Sequence, residues 1–90
     1  MNTYFCYCKF NLNAEKVMAE LLDEHLKFIA KHTHHIIYGG LTVVEQKKRG
    51  ICYFIHADSI EDAQHFISQD PYHLIYNCEI KQFIQRIPKI

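Results

Sequence analysis

Two kinds of apolar spacing alternate along the chain. Residues 3–10, Thr-Tyr-Phe-Cys-Tyr-Cys-Lys-Phe, are rich in aromatics and lack a helical period, which predicts a strand. Asn11-Leu12-Asn13 then offers two asparagines suited to capping a helix. From Ala14 to about Lys31 the apolar residues Val17, Met18, Leu21, Leu22, Leu26, Phe28 and Ile29 recur at intervals of three and four, the pattern of a one-sided helix. His34 to Val44 is apolar and β-branched except at Gly39-Gly40. Glu45 to Gly50 is a polar turn, and Ile51 to Ile55 is apolar again, so two strands joined by a hairpin are predicted.

Ser59 is placed to cap a second helix. Glu61 and Asp62 suit its positively polarised first turn, Ile60, Ala63, Phe66 and Ile67 form its apolar face, and Pro71 ends it near Gln69. Residues 73–87 hold a last strand or two short ones. There Ile80, Gln82 and Ile84 break strict alternation, which predicts a bulge or bend.

The order βαββαβ predicts an α+β, ferredoxin-like fold: a four-stranded antiparallel sheet with both helices on one face, reached by two right-handed crossovers. The other face is left carrying aromatic and aliphatic side chains. A patch of that size is usually an interaction surface, and pairing two sheets face to face into a homodimer is the simplest way to cover it.

Size and charge narrow the partners. Ninety residues fit a single domain spanning 1–90, and 49% apolar against 22% charged residues is the balance of a folded chain. Ten Lys and Arg against ten Asp and Glu leave no net field for nucleic acid or anionic lipid. No apolar run approaches the roughly 20 residues that cross a bilayer. Met1 is followed by polar and aromatic residues without a secretory pattern, so a cytoplasmic protein with reduced Cys6, Cys8, Cys52 and Cys78 is expected. Cys6 and Cys8 alternate on one strand face, where they serve as small core residues.

Two residues stand out chemically. His25 sits in the middle of the apolar arc of the first helix, either as a core imidazole bonded to a carbonyl or as a functional group. Asp70 follows a helix end that already carries partial negative charge, although Asp-Pro turn chemistry alone would account for it.

The segments Asp23-Glu24-His25-Leu26-Lys27-Phe28, Gly39-Gly40-Leu41, Ala57 to Ala63 and Asp70-Pro71-Tyr72, in that order, resemble the YCII-related domains, small dimeric α+β barrel proteins. The resemblance spans nearly the whole chain. It implies a histidine and an aspartate facing each other in a pocket, which map onto His25 and Asp70, and an enzymatic role similar to that of muconolactone isomerases. Members often carry arginine where this chain has Leu22 and Gly-Pro where it has Gly39-Gly40, so an anion-binding group is missing here.

A carboxylate beside an imidazole sets its tautomer and stabilises the imidazolium, so proton transfer is the expected chemistry. The expected reaction is an addition, elimination or isomerisation on a small organic molecule, with His25 and Asp70 catalytic and Gly40 and Tyr72 contacting substrate. No cofactor or metal is implied. His32, His34 and His35 cluster in sequence, but adjacent positions on a strand diverge and no complete ligand set is evident. The rival from another class is a dimeric module that binds a small ligand or a protein without chemistry. An RNA-recognition domain shares the element order, yet Ile51 stands where its first stacking aromatic belongs. An acylphosphatase would need glycine and arginine at Asn11-Leu12-Asn13.

Overall fold

A computed structural model describes residues 1–11 and 14–88. Its elements are β1 (Asn2–Phe10), α1 (Ala14–Lys31), β2 (Ile36–Val44), β3 (Lys47–Ala57), α2 (Ile60–Gln69), a 3-10 turn (Pro71–Ile75) and β4 (Tyr76–Phe83). The strands form one antiparallel sheet in the order β2-β3-β1-β4, with the two connections that carry helices crossing between non-adjacent strands. This is the ferredoxin-like α+β fold. Among the described residues no helix is long and apolar enough to cross a membrane.

Strict two-residue alternation sorts the sheet residues. Tyr4, Cys6 and Cys8 of β1 and Ile51, Tyr53, Ile55 and Ala57 of β3 are buried on the helix-covered face. Phe5, Tyr7, Cys52 and Phe54 point the other way and are only half-buried. On that open face Phe54 packs against Phe5, Tyr38 and Phe83, with ring centroids 4.9, 5.1 and 5.0 Å away.

Four expectations need correction. His34 and His35 precede β2 in a turn rather than beginning the strand. The hairpin turn is only Glu45-Gln46, because Lys47, Lys48 and Gly50 already pair with β2. Both turn residues have positive φ, 50° and 67°, as a two-residue type I′ turn requires of its centre. Finally, residues 71–75 coil into a 3-10 turn, and β4 pairs with β1 without a bulge from Tyr76 to Phe83. The polar Gln82, at an inward position, and the aromatic Phe83, at an outward one, break the side-chain alternation without breaking the pairing. The register irregularities lie between β2 and β3 instead.

Cap chemistry follows local sequence. Ser59 Oγ accepts from the Asp62 N–H at 3.1 Å and starts α2. Of the two asparagines suited to capping α1, Asn11 has its Oδ1 accepting from Asn77 Nδ2 at 3.2 Å, and Asn13 lies outside the described residues.

Candidate active site

The two residues singled out in the sequence meet. His25 Nδ1 lies 2.8 Å from Asp70 Oδ1, with both side chains buried. His25 rides on α1, and Asp70 ends α2.

Asp70 owes its position to local backbone chemistry. The residue before Pro71 is held extended, at φ −70° and ψ 123°, which terminates α2. Its Oδ1 then accepts from the Tyr72 N–H at 3.0 Å and caps the 3-10 turn. Turn chemistry and the histidine contact are therefore both present in one side chain.

The remaining oxygen is occupied too. Asp70 Oδ2 accepts from the Tyr53 hydroxyl at 2.7 Å and the Tyr76 hydroxyl at 3.0 Å. An ionised carboxylate offers about four acceptor sites, and four donors fill them. Burial alone pushes the Asp70 carboxyl up. The hydrogen bonds from His25, the Tyr72 N–H and Tyr53 outweigh it and hold the group below the ordinary carboxylate range. Burial and the Asp70 charge push the Tyr53 and Tyr76 hydroxyls far up, so both stay protonated donors.

This arrangement selects a tautomer. A carboxylate can only accept, so Nδ1 of His25 must carry its proton, and in the neutral ring the lone pair sits on Nε2. Nε2 makes no protein hydrogen bond, and among the described residues the only fully buried side-chain polar atom without a partner is Thr42 Oγ1. Nε2 thus keeps access to the space beside the ring.

That space is a cavity of about 770 Å³, within the usual range for small-molecule pockets. One wall is α1, with Met18, Leu22, His25, Leu26 and Ile29. The opposite wall is the sheet, with Ile36, Gly39, Gly40, Ile51 and Tyr53. Glu15, Gln46 and Lys48 supply its charged and amide groups. Lys48 is the only cationic side chain lining it among the described residues, and the wall at Leu22 is apolar.

The Tyr72 ring stacks on the imidazole with centroids 4.0 Å apart and planes 8° from parallel. Its hydroxyl donates to the Met18 carbonyl of α1 at 3.1 Å. Gly40 borders the cavity through its main chain, with open space where a Cβ would stand.

Tyr53 and Tyr76 were not singled out in the sequence. For Tyr53 a signal existed, since it alternates with Ile51 and Ile55 and so brings a hydroxyl onto an otherwise aliphatic inward face. Tyr76 fell in the stretch where alternation was unreadable.

The other histidines lie elsewhere. His32, His35, His56 and His65 border a separate cleft of about 220 Å³. Gln69 occupies two of them, with His32 Nε2 at 3.0 Å from its Oε1 and His65 Nε2 at 2.9 Å from its Nε2. Among the described residues no three His, Cys, Asp or Glu side chains are arranged to hold a metal ion.

No protein-family model and no curated protein matches the sequence. Solved structures do. The chain is similar to the 5-chloro-2-hydroxyhydroquinone dehydrochlorinase TftG of Burkholderia phenoliruptrix AC1100, solved with 2,5-dihydroxybenzoquinone, at a TM-score of 0.84 and 15% identity over 98% of this chain and 99% of that one. It is also similar to protein Atu4242 of Agrobacterium tumefaciens, at a TM-score of 0.56 and 12% identity over the full length of both chains. A third is SnoaB, a cofactor-independent oxygenase of Streptomyces nogalater, at 0.50 and 10% identity over 97% of this chain and 96% of that one. At these identities the likeness establishes the ferredoxin-like fold.

Proposed function

We propose that this chain is a small-molecule enzyme of the YCII-related kind, in which His25 moves a proton on a small cyclic or unsaturated organic molecule with Asp70 as its partner. The observation that carries the reading is the 2.8 Å contact between His25 Nδ1 and Asp70 Oδ1, with Nε2 left free beside a ligand-sized cavity. In the forward step Nε2 takes a proton from the substrate, and the imidazolium is stabilised by the carboxylate across Nδ1–H. Returning that proton to a different atom completes an isomerisation. Departure of an anionic leaving group completes an elimination.

The dehydrochlorinase TftG, seen with a hydroxylated quinone, supports a flat oxygenated ring as the substrate class. Tyr72 holds the imidazole plane, Gly40 leaves room at the sheet wall, and Lys48 is the cation available to a substrate oxygen. The protein acts in the cytoplasm as one domain. It works as a homodimer paired through the open sheet face, where Tyr38 is 65% exposed beside Phe54, which in turn packs on Phe83.

The test is the ring nitrogens of His25, followed by NMR across pH in the parent and in Asp70→Asn. The parent is expected to keep its proton on Nδ1, and the variant to lose that preference. The same tautomer and the same titration in both would end the proposal. A metabolite screen by thermal shift supplies ligands. His25→Ala then separates the enzyme from the non-catalytic module, since it should abolish turnover while leaving an apolar ligand bound. Sedimentation at micromolar concentration tests the homodimer, and a stable monomer would remove it.

A further inference from the structure

Behind the Asp70 node lies a group of thiols that the proposed chemistry does not use. Cys6 and Cys8 of β1 and Cys78 of β4 share the helix-covered face of the sheet. Cys8 and Cys78 are direct cross-strand partners, and their sulfurs are 2.9 Å apart. Directly opposed residues of an antiparallel pair have Cα atoms about 4.5–5.5 Å apart, inside the span a disulfide bridges. Cys6 is opposed by Ile80, which leaves it diagonal to Cys78 at roughly 7 Å or more, beyond easy bridging. Cys52 is on β3, opposite Tyr7, and faces the other side of the sheet.

We propose that Cys8 and Cys78 form a reversible thiol–disulfide pair, closed by a hydroperoxide and reopened by a thiol reductant. Accessibility divides the labour. Cys78, on the edge strand, is partly exposed, whereas Cys8 is fully buried. Hydrogen bonding from the Cys6 and Cys8 thiols draws the Cys78 thiol below its ordinary range, against the opposing effect of burial. The same contact and burial push Cys8 up. Exposure makes Cys78 the sulfur that a peroxide reaches first and Cys8 the resolving thiol.

In the first step the Cys78 thiolate attacks the peroxide, the O–O bond breaks, and sulfenic acid and an alkoxide or hydroxide form. In the second the Cys8 sulfur attacks the sulfenic sulfur, the S–O bond breaks and water leaves with the Cys8 proton. Two thiols are oxidised and one peroxide is reduced. Two equivalents of thiol reductant restore the pair through a mixed disulfide.

The experiment treats the full chain with hydrogen peroxide, then measures intact mass, counts free thiols after denaturation and maps linked peptides. Two of the four cysteines should disappear, the Cys8 and Cys78 peptides should be joined, and dithiothreitol should restore all four. Cys78→Ser should keep its remaining thiols under the same exposure. Cys8→Ser should stop at a sulfenic acid that dimedone traps. Four free thiols in the treated parent, a bridge through Cys6 or Cys52, or a bridge only between two copies of the chain would each overturn the proposal.

Discussion

The two helices lie on the same face of one sheet and are both amphipathic, yet they use that face differently. Helix α2 closes on the sheet. Ala63, fully buried, lets its backbone come near, and Phe66 and Ile67 fill the space on either side. Helix α1 buries His25 and Phe28 but leaves Leu22 and Leu26 45% and 55% exposed. Between it and the sheet stands the 770 Å³ cavity. A small residue at the contact gives packing, whereas long side chains grouped round a buried polar node leave a wall with room behind it. Packing is concentrated under α2 and open space under α1.

The two halves join at Asp70, which ends α2 and holds His25 of α1. Asp70→Ala leaves the Tyr53 and Tyr76 hydroxyls, the Tyr72 N–H and His25 without an acceptor. It is expected to cost about 3–5 kcal/mol in urea unfolding, and a loss within error would mean that α1 does not depend on the node. Acid tests the same group. The folded pKa of Asp70 lies below its unfolded value, so its stabilisation is complete above the unfolded value near 3.9 and is lost as pH falls through the folded one. Asp70→Asn should therefore flatten the acid side of a stability–pH curve.

Next in size, Ala63→Leu forces a larger side chain into the closed contact of α2 and should cost about 1–3 kcal/mol. The hairpin that carries Gln46 and Lys48 to the cavity rim offers a gain instead. Replacing Glu45-Gln46 by Asn-Gly relieves two left-handed residues and should stabilise by about 1 kcal/mol, read from the thermal midpoint. Smallest is Ala19→Leu, on the cavity side of α1. Its stability should stay within about 0.5 kcal/mol of the parent while ligand binding falls, the reverse of what the same exchange does at Ala63. Equal destabilisation at both positions would erase the distinction between the helices.

Much of this was legible beforehand. The helix from Ala14 to Lys31, the Ser59 cap, the stop before Pro71 and the shared face of Cys6 and Cys8 follow from local rules of period, capping and backbone sterics. His25 drew notice as a polar ring on an apolar arc, and Asp70 as a carboxylate at a helix end. Their partnership also followed from resemblance to the YCII-related domains rather than from periodicity. Leu22 and Leu26 belong to the apolar spacing of α1 and yet stay exposed, because spacing reports which residues are apolar, not whether anything presses on them. Only the second half of the 3-10 turn, His73 to Ile75, reads as strand in the sequence, because Leu74-Ile75 suit a strand equally well.

The order of elements and the common inward face of Cys6 and Cys8 follow from the chain alone, since these rest on interactions within a few residues of one another, and His25 and Asp70 stand out there singly, as polar groups in unexpected places. Only the tertiary structure decided that Tyr53 and Tyr76 complete the shell of Asp70, that Nε2 of His25 is the free nitrogen, and that α1 stands away from the sheet. Those facts depend on side chains from β3, β4, α1 and the segment after α2 meeting at one carboxylate. Contacts between residues far apart in the chain leave no local pattern from which they could be read.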